Sequence, residues 1–98
     1  MIRRLIVTPE AEADLLDAAQ WYEDRRVGLS TTFLLHLEAT FDAIQRRPNW
    51  FPVAQGQLRR SLMKRFPYAV YFLTERKSVT VVAVRHTARR NRDLEERF

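Results

Sequence analysis

Nine side chains in the second half of the chain are of the types that hold or cleave a phosphodiester: Arg59, Arg60, Lys64, Arg65, Arg85, His86, Arg89, Arg90 and Arg92. Guanidinium groups bind phosphate through paired N–H bonds, and on strand ends they can line one groove. A metal-independent ribonuclease could be assembled there. Cleavage by the RNA's own 2′-OH needs a base for that proton and cations for the pentacoordinate phosphate. It also needs an acid for the departing 5′-oxygen. The candidate catalytic set is Arg60, Arg85 and His86, with the histidine as acid or base near neutral pH. Arg59, Lys64, Arg65, Arg89, Arg90 and Arg92 are candidate nucleic-acid or target-binding residues. A second proton-transfer group is harder to find, since Tyr68, Tyr71 and Glu75 would all be strained candidates. That gap counts against catalysis. A plainer reading makes Arg85 the first solvated residue after a buried strand and has His86 bonding a backbone carbonyl.

Other chemistries are excluded more simply. The 98 residues include no cysteine, so disulfides, zinc knuckles and thiol nucleophiles are absent. His36 and His86 lie in different elements without a second ligand at metal spacing. Two glycines cannot make a Gly-rich phosphate loop, and no serine elbow is present. No metal or cofactor is expected. No apolar run approaches the roughly 20 residues that span a bilayer, and no leader pattern opens the chain. The expected compartment is the cytoplasm, with no membrane partner.

Charge divides the chain. Residues 1–58 carry 6 Arg and 8 acids, net −2, whereas residues 59–98 carry 11 Arg or Lys and 4 acids, net +7. The second part either meets something anionic, such as nucleic acid or an acidic protein segment, or is a solvated basic surface that reflects a preference for Arg codons.

The positioning elements follow from pattern, over a single expected domain at 1–98. Arg3 to Val7 reads as a short strand. Thr8-Pro9-Glu10 is a helix start, with Thr as cap and Pro at the first helical position. Ala11, Leu15, Ala18, Ala19 and Tyr22 then fall on one stripe. Gly28 is a plausible stop for that helix. A second helix is expected from about Ser30, with Thr31 and Thr32 as competing caps. Its stripe is Leu34, Leu37, Phe41 and Ile44, with Phe33 flanking, and it closes at Arg46-Arg47-Pro48. Asn49 to Gln57 reads as a packed loop, with Trp50 and Phe51 at the core or its edge, as for Trp21 and Tyr22. Leu58 to Met63, Ala69 to Leu73 and Val79 to Val84 read as three strands of an antiparallel meander, the last buried on both faces. Asn91 to Arg97 is polar and weakly helical. The fold class is α+β, β-α-α-β-β-β, a helix hairpin on a largely antiparallel four-stranded sheet.

This order, with its words, resembles the RelE/ParE superfamily of bacterial type II toxins. The matching segments are Thr8-Pro9-Glu10-Ala11 with Asp14-Leu15, Trp21-Tyr22-Glu23, and Gly28-Leu29 with Phe33. Then come Pro48, Arg59-Arg60, Phe66-Pro67-Tyr68-Ala69-Val70-Tyr71, and Val81-Val82-Ala83-Val84-Arg85-His86 with Arg89. The resemblance implies a growth-inhibiting toxin neutralised by a co-expressed antitoxin whose C-terminal segment wraps it. RelE-like members cut mRNA on the ribosome, and ParE-like members poison DNA gyrase without being nucleases. The tail has no tyrosine of the RelE kind, and no glutamate on the preceding strand matches the Glu-Arg-His nuclease branch. The Phe-Pro-Tyr strand and the His-x-x-Arg ending look closer to the ParE-like and plasmid-stabilisation members. DNA gyrase or a related target is therefore the expected point of action. A RelE-like ribonuclease and a degenerate, antitoxin-binding member are the alternatives.

Overall fold

The structure is a computed structural model, and it describes residues 2–97. β1 (Arg4–Val7) leads into α1 (Pro9–Arg25) and α2 (Leu29–Arg46). A 3-10 turn at Pro48–Trp50 precedes β2 (Val53–Gln55), β3 (Leu58–Leu62), β4 (Tyr68–Thr74) and β5 (Ser78–His86), and a last 3-10 turn spans Leu94–Arg97. The sheet has the order β1-β5-β4-β3-β2, with β1 parallel to β5 and the other pairs antiparallel. The sheet thus has five strands where four were expected. The added strand, β2, lies inside the segment read as a loop. It is only three residues long and turns into β3 through Gly56 and Gln57, with Gly56 at φ 55°. Glycine at the first central position of a two-residue turn takes the positive φ that matches strand twist.

α1 begins as its sequence dictates: the Thr8 hydroxyl accepts the Ala11 N–H at 3.1 Å, with Pro9 at the first position. Ala11, Ala18 and Ala19 are buried, with Leu15 and Tyr22 packed against the core. α2 starts at Leu29, one residue before the expected Ser30, and none of the Ser/Thr side chains caps it. Gly28 is the N-cap at φ 91°, so it opens α2 and does not cap α1. Its missing side-chain cap is supplied from α1. The Glu23 carboxylate accepts the N–H groups of Gly28 and Ser30 and the Ser30 hydroxyl at 2.6–3.0 Å. Those bonds hold the Glu23 carboxyl below its usual range, as expected for an anion at a helix N-terminus.

The hairpin buries Phe33, Leu37 and Ile44 against Val70, Phe72, Val79, Val81 and Val84 on one face of the sheet. Tyr22, Phe33, Phe66 and Tyr68 interlock edge-on and stacked at 4.9–6.1 Å between centroids. A smaller core lies on the opposite face, where Leu58, Ala69, Tyr71, Val82 and Ala83 meet Leu94. Residues 87–97 therefore form a strap across that second face. Trp50 departs from its expected core position, being 74% exposed beneath the Arg47 guanidinium.

One irregularity controls the site. Tyr71 pairs Ala83 while Phe72 pairs Val81, so Val82 is an extra residue in β5. Such a bulge shifts the alternation by one. Val79 and Val81 face the helices, Val82 and Ala83 both face the strap, and Arg85 follows Ala83.

Candidate functional site: a divided set of cations

Arg85 pairs across the sheet with Ala69 on the strap face, and its side chain has no solvent exposure. Its two terminal nitrogens donate to the two Asp93 carboxylate oxygens at 2.6 and 2.8 Å. The expectation that Arg85 is a solvated residue is overturned: it is among the largest fully buried side chains of the protein. The guanidinium beside Asp93 holds that carboxyl far below the ordinary aspartate range. The strap is also fixed by Asn91 Nδ2 donating to the Tyr71 hydroxyl at 2.9 Å and by the fully buried Leu94.

His86 pairs across the sheet with Tyr68, on the helix side, where the two rings meet edge-on at 5.4 Å. The Ala88 N–H donates to its Nδ1 at 3.0 Å, so the neutral ring carries its proton on Nε2. The expected backbone bond of this histidine therefore runs to an amide and not to a carbonyl. His86 lines a cleft of about 250 Å³ together with Asp14, Asp17, Trp21, Tyr68, Arg85 and Arg89, although the Arg85 guanidinium itself is turned to Asp93. Burial pushes the Tyr68 phenol up from its ordinary value, which disfavours it as a base.

Asp14, at the same cleft, was not singled out as a site residue in the sequence. β1 stops pairing β5 at Val81, so the edge of β5 beyond it needs other partners. Asp14 Oδ2 accepts the Val84 N–H at 3.0 Å. Arg97 donates to Asp14 at 2.6 Å and to the Val82 carbonyl at 3.2 Å, and this pair raises the Arg97 pKa. Val84 and Arg97 lie 70 and 83 residues from Asp14, and no local signal links them to it.

The remaining candidates sort by place. Arg60 sits across from Tyr71 on the strap face, exposed. Arg59 is committed to the residue that follows the 3-10 turn, through a 2.6 Å bond to the Phe51 carbonyl. Lys64 and Arg65 occupy the β3–β4 turn, and Arg89, Arg90 and Arg92 the start of the strap. The Thr87 N–H bonds the Pro67 carbonyl at 2.8 Å, which brings those two segments to one end of the sheet. The fold thus turns the His86 ring to the helix side, away from Arg60 and from the Arg85 guanidinium on Asp93, and gathers the binding candidates other than Arg59 at the sheet end.

A second cavity, a groove of about 340 Å³, runs between α2 and β3. It is lined by His36, Ala39, Thr40, Ala43, Phe51, Ser61, Leu62 and Lys64. Leu35 and Leu62 are exposed at 60% and 59%. β2 leaves β3 after Arg59, so Leu62 has no strand on its outer side among the described residues.

The family model described as "ParE toxin of type II toxin-antitoxin system, parDE" matches residues 5–91. The chain belongs to that family. Among solved structures, it is similar to a chain of the chromosomal ParDE TA system from P. aeruginosa. The TM-score is 0.77 at 17% identity, covering 87% of this chain and 96% of that one. That likeness extends the ParE assignment to the fold. No curated protein matches the sequence. The matched span covers the helix hairpin, the meander and the bulge, and it ends before Asp93, Leu94 and Arg97. Among the described residues no helix is long and apolar enough to cross a membrane.

Proposed function

We propose that this ParE-family chain inhibits growth by interfering with DNA gyrase and is neutralised by a cognate antitoxin. The observation that carries the choice of a gyrase-binding toxin over a ribonuclease is the division of the cations. Arg85 is stowed against Asp93 with no exposure, and His86 faces away from Arg60 on the other side of the sheet. A nuclease needs its acid, base and charge-stabilising groups within reach of one phosphate. A toxin that works by binding needs only surface.

The antitoxin reading is supported by the groove between α2 and β3. It offers an apolar trough with the exposed Leu62 at an open strand edge, beside a half-chain of net +7. An acidic segment with apolar anchors could fill the trough and add backbone bonds along that edge.

The test is induction in a growing bacterium, with a co-expressed partner gene as rescue. Chromosomal DNA and total RNA are followed from the first minutes. Broken DNA with intact mRNA, and arrest of purified gyrase in its DNA-cleavage complex, are the expected results. Cleaved mRNA with intact DNA would replace this reading by the RelE-like one. Absence of arrest would favour a member that only binds its antitoxin.

A further inference from the structure

The cations of this protein divide into those already satisfied and those that are not. Arg46, Arg85 and Arg97 sit on carboxylates at 2.6–2.9 Å, and Arg89 lies 3.9 Å from Asp93. Arg25 and Arg47 cover tryptophan rings, and Arg3 and Arg59 donate to carbonyls. Nine others, Arg4, Arg26, Arg60, Lys64, Arg65, Arg76, Lys77, Arg90 and Arg92, are exposed and in no ion pair among the described residues. Four of the nine, Lys64, Arg65, Arg90 and Arg92, belong to the two segments that the Thr87–Pro67 bond joins at one end of the sheet.

We propose that this end of the sheet, carrying Lys64, Arg65, Arg90 and Arg92, binds the phosphate backbone of duplex DNA. This deepens the gyrase reading, since gyrase holds DNA while it cuts, and it is measurable without gyrase. β3, β4 and β5 are adjacent strands, so the segments leaving their ends are about 5–10 Å apart. With the reach of Lys and Arg side chains, that spacing suits phosphates flanking a minor groove about 6 Å wide. An acidic peptide is a poorer fit. Peptide docking takes its affinity from buried apolar anchors, and the apolar trough between α2 and β3 reaches only Lys64 of these four cations. Phosphates require charge alone.

Arg65 adds a second feature. Its φ of 70° makes it the one non-glycine residue with positive φ among the described residues. A side chain is kept there at a backbone cost. Glycine would remove both the charge and the strain.

The experiment is fluorescence anisotropy of a short labelled duplex with the full chain across a salt series. Four phosphate contacts give a slope of log K against log salt of about −3.6, a loss of about 150-fold between about 50 and 200 mM salt. The Arg90→Ala/Arg92→Ala double variant should halve that slope, to about −1.8 and about 12-fold. Arg65→Gly should lower it by about 0.9, and cannot fail for lack of a fold-compatible backbone. Arg76→Ala/Lys77→Ala removes two charges from the β4–β5 turn, at the other end of those strands, and should leave the slope intact. Three results would overturn the proposal: no binding at low salt, an equal drop in the Arg76/Lys77 control, or tighter binding of single-stranded RNA of the same length. DNA binding without gyrase inhibition would retain this surface and remove the gyrase reading. Gyrase inhibition without DNA binding would do the reverse.

Discussion

Leu94→Ala tests whether the strap is a separate unit docked on the sheet. Leu94 has no solvent exposure and packs on Leu58, Ala69, Tyr71, Val82 and Ala83. Truncating a buried leucine costs about 2–5 kcal/mol, the spread reflecting how far the surroundings collapse into the space. Here the site lies at the end of the chain. Once the cavity cost exceeds what the strap's other contacts contribute, the strap detaches and the loss stops growing. The expected value is therefore in the lower part of the range, about 2–3 kcal/mol. For a domain of this size each kcal/mol moves Tm by about 4–8 °C, so Tm should fall by about 10–20 °C.

The local assay is tryptic cleavage, because Arg89, Arg90 and Arg92 lie at the strap's start. Cleavage tracks the population of the open strap when opening and closing are fast. Weakening the docking by about 2 kcal/mol should then speed cutting about 30-fold, at 1.4 kcal/mol per factor of ten. A Tm change below about 2 °C would refute the burial argument. A large Tm loss with unchanged cleavage would refute the strap as a local unit, since Leu94 would then be coupled to the whole fold.

Three further outcomes are expected. Glu23→Gln should destabilise the hairpin, and the gap to the parent protein should depend on pH. The Glu23 carboxyl is depressed in the folded state by Ser30 and Gly28, so its contribution is present above the ordinary glutamate value and disappears as pH falls through the folded one. Thermal melts of both proteins from pH 7 to about pH 3 should converge at the acid end, and parallel curves would refute the capping role. Asp14→Ala should cost about 1–3 kcal/mol by urea denaturation, because it strands the Val84 N–H and the part-buried Arg97; a loss near zero would mean water replaces it. Arg65→Gly should be neutral or stabilising by up to about 1 kcal/mol, the left-handed strain being offset by the entropy of glycine. A clear destabilisation would show that the side chain packs.

What could be read from sequence was what is decided within a few residues. Thr8-Pro9 caps α1 with its own neighbours, and the stripe from Ala11 to Tyr22 buries as its spacing dictates. The start of α2 was displaced because its capping group, Glu23, belongs to the preceding helix. β2 was missed because three polar-to-apolar residues have no periodicity, although Gly56-Gln57 before an alternating segment was a usable hairpin signal. The strap was unreadable: Asp93 and Arg97 look like any solvated charges until Arg85 and Asp14 are placed beside them. The basic sheet end was legible as charge. Its separation from His86 and Arg85 was not.

That separation comes from one inserted residue. If β5 kept strict alternation from Val79 and Val81, Ala83 and Arg85 would face the helices and His86 would share a face with Arg60 and Tyr71. The histidine and one arginine of a nuclease-like set would then stand over the same surface. With the bulge at Val82, the helix side receives His86, and the strap face receives an arginine that Asp93 can neutralise. The bulge also leaves the Val82 carbonyl to Arg97, which ties the strap's far end to α1 through Asp14. The irregularity that disperses the catalytic candidates is thus the same one that anchors the cover over Arg85. Bringing His86 and Arg85 over one surface with Arg60 would require undoing both, and this supports the surface-acting reading proposed above.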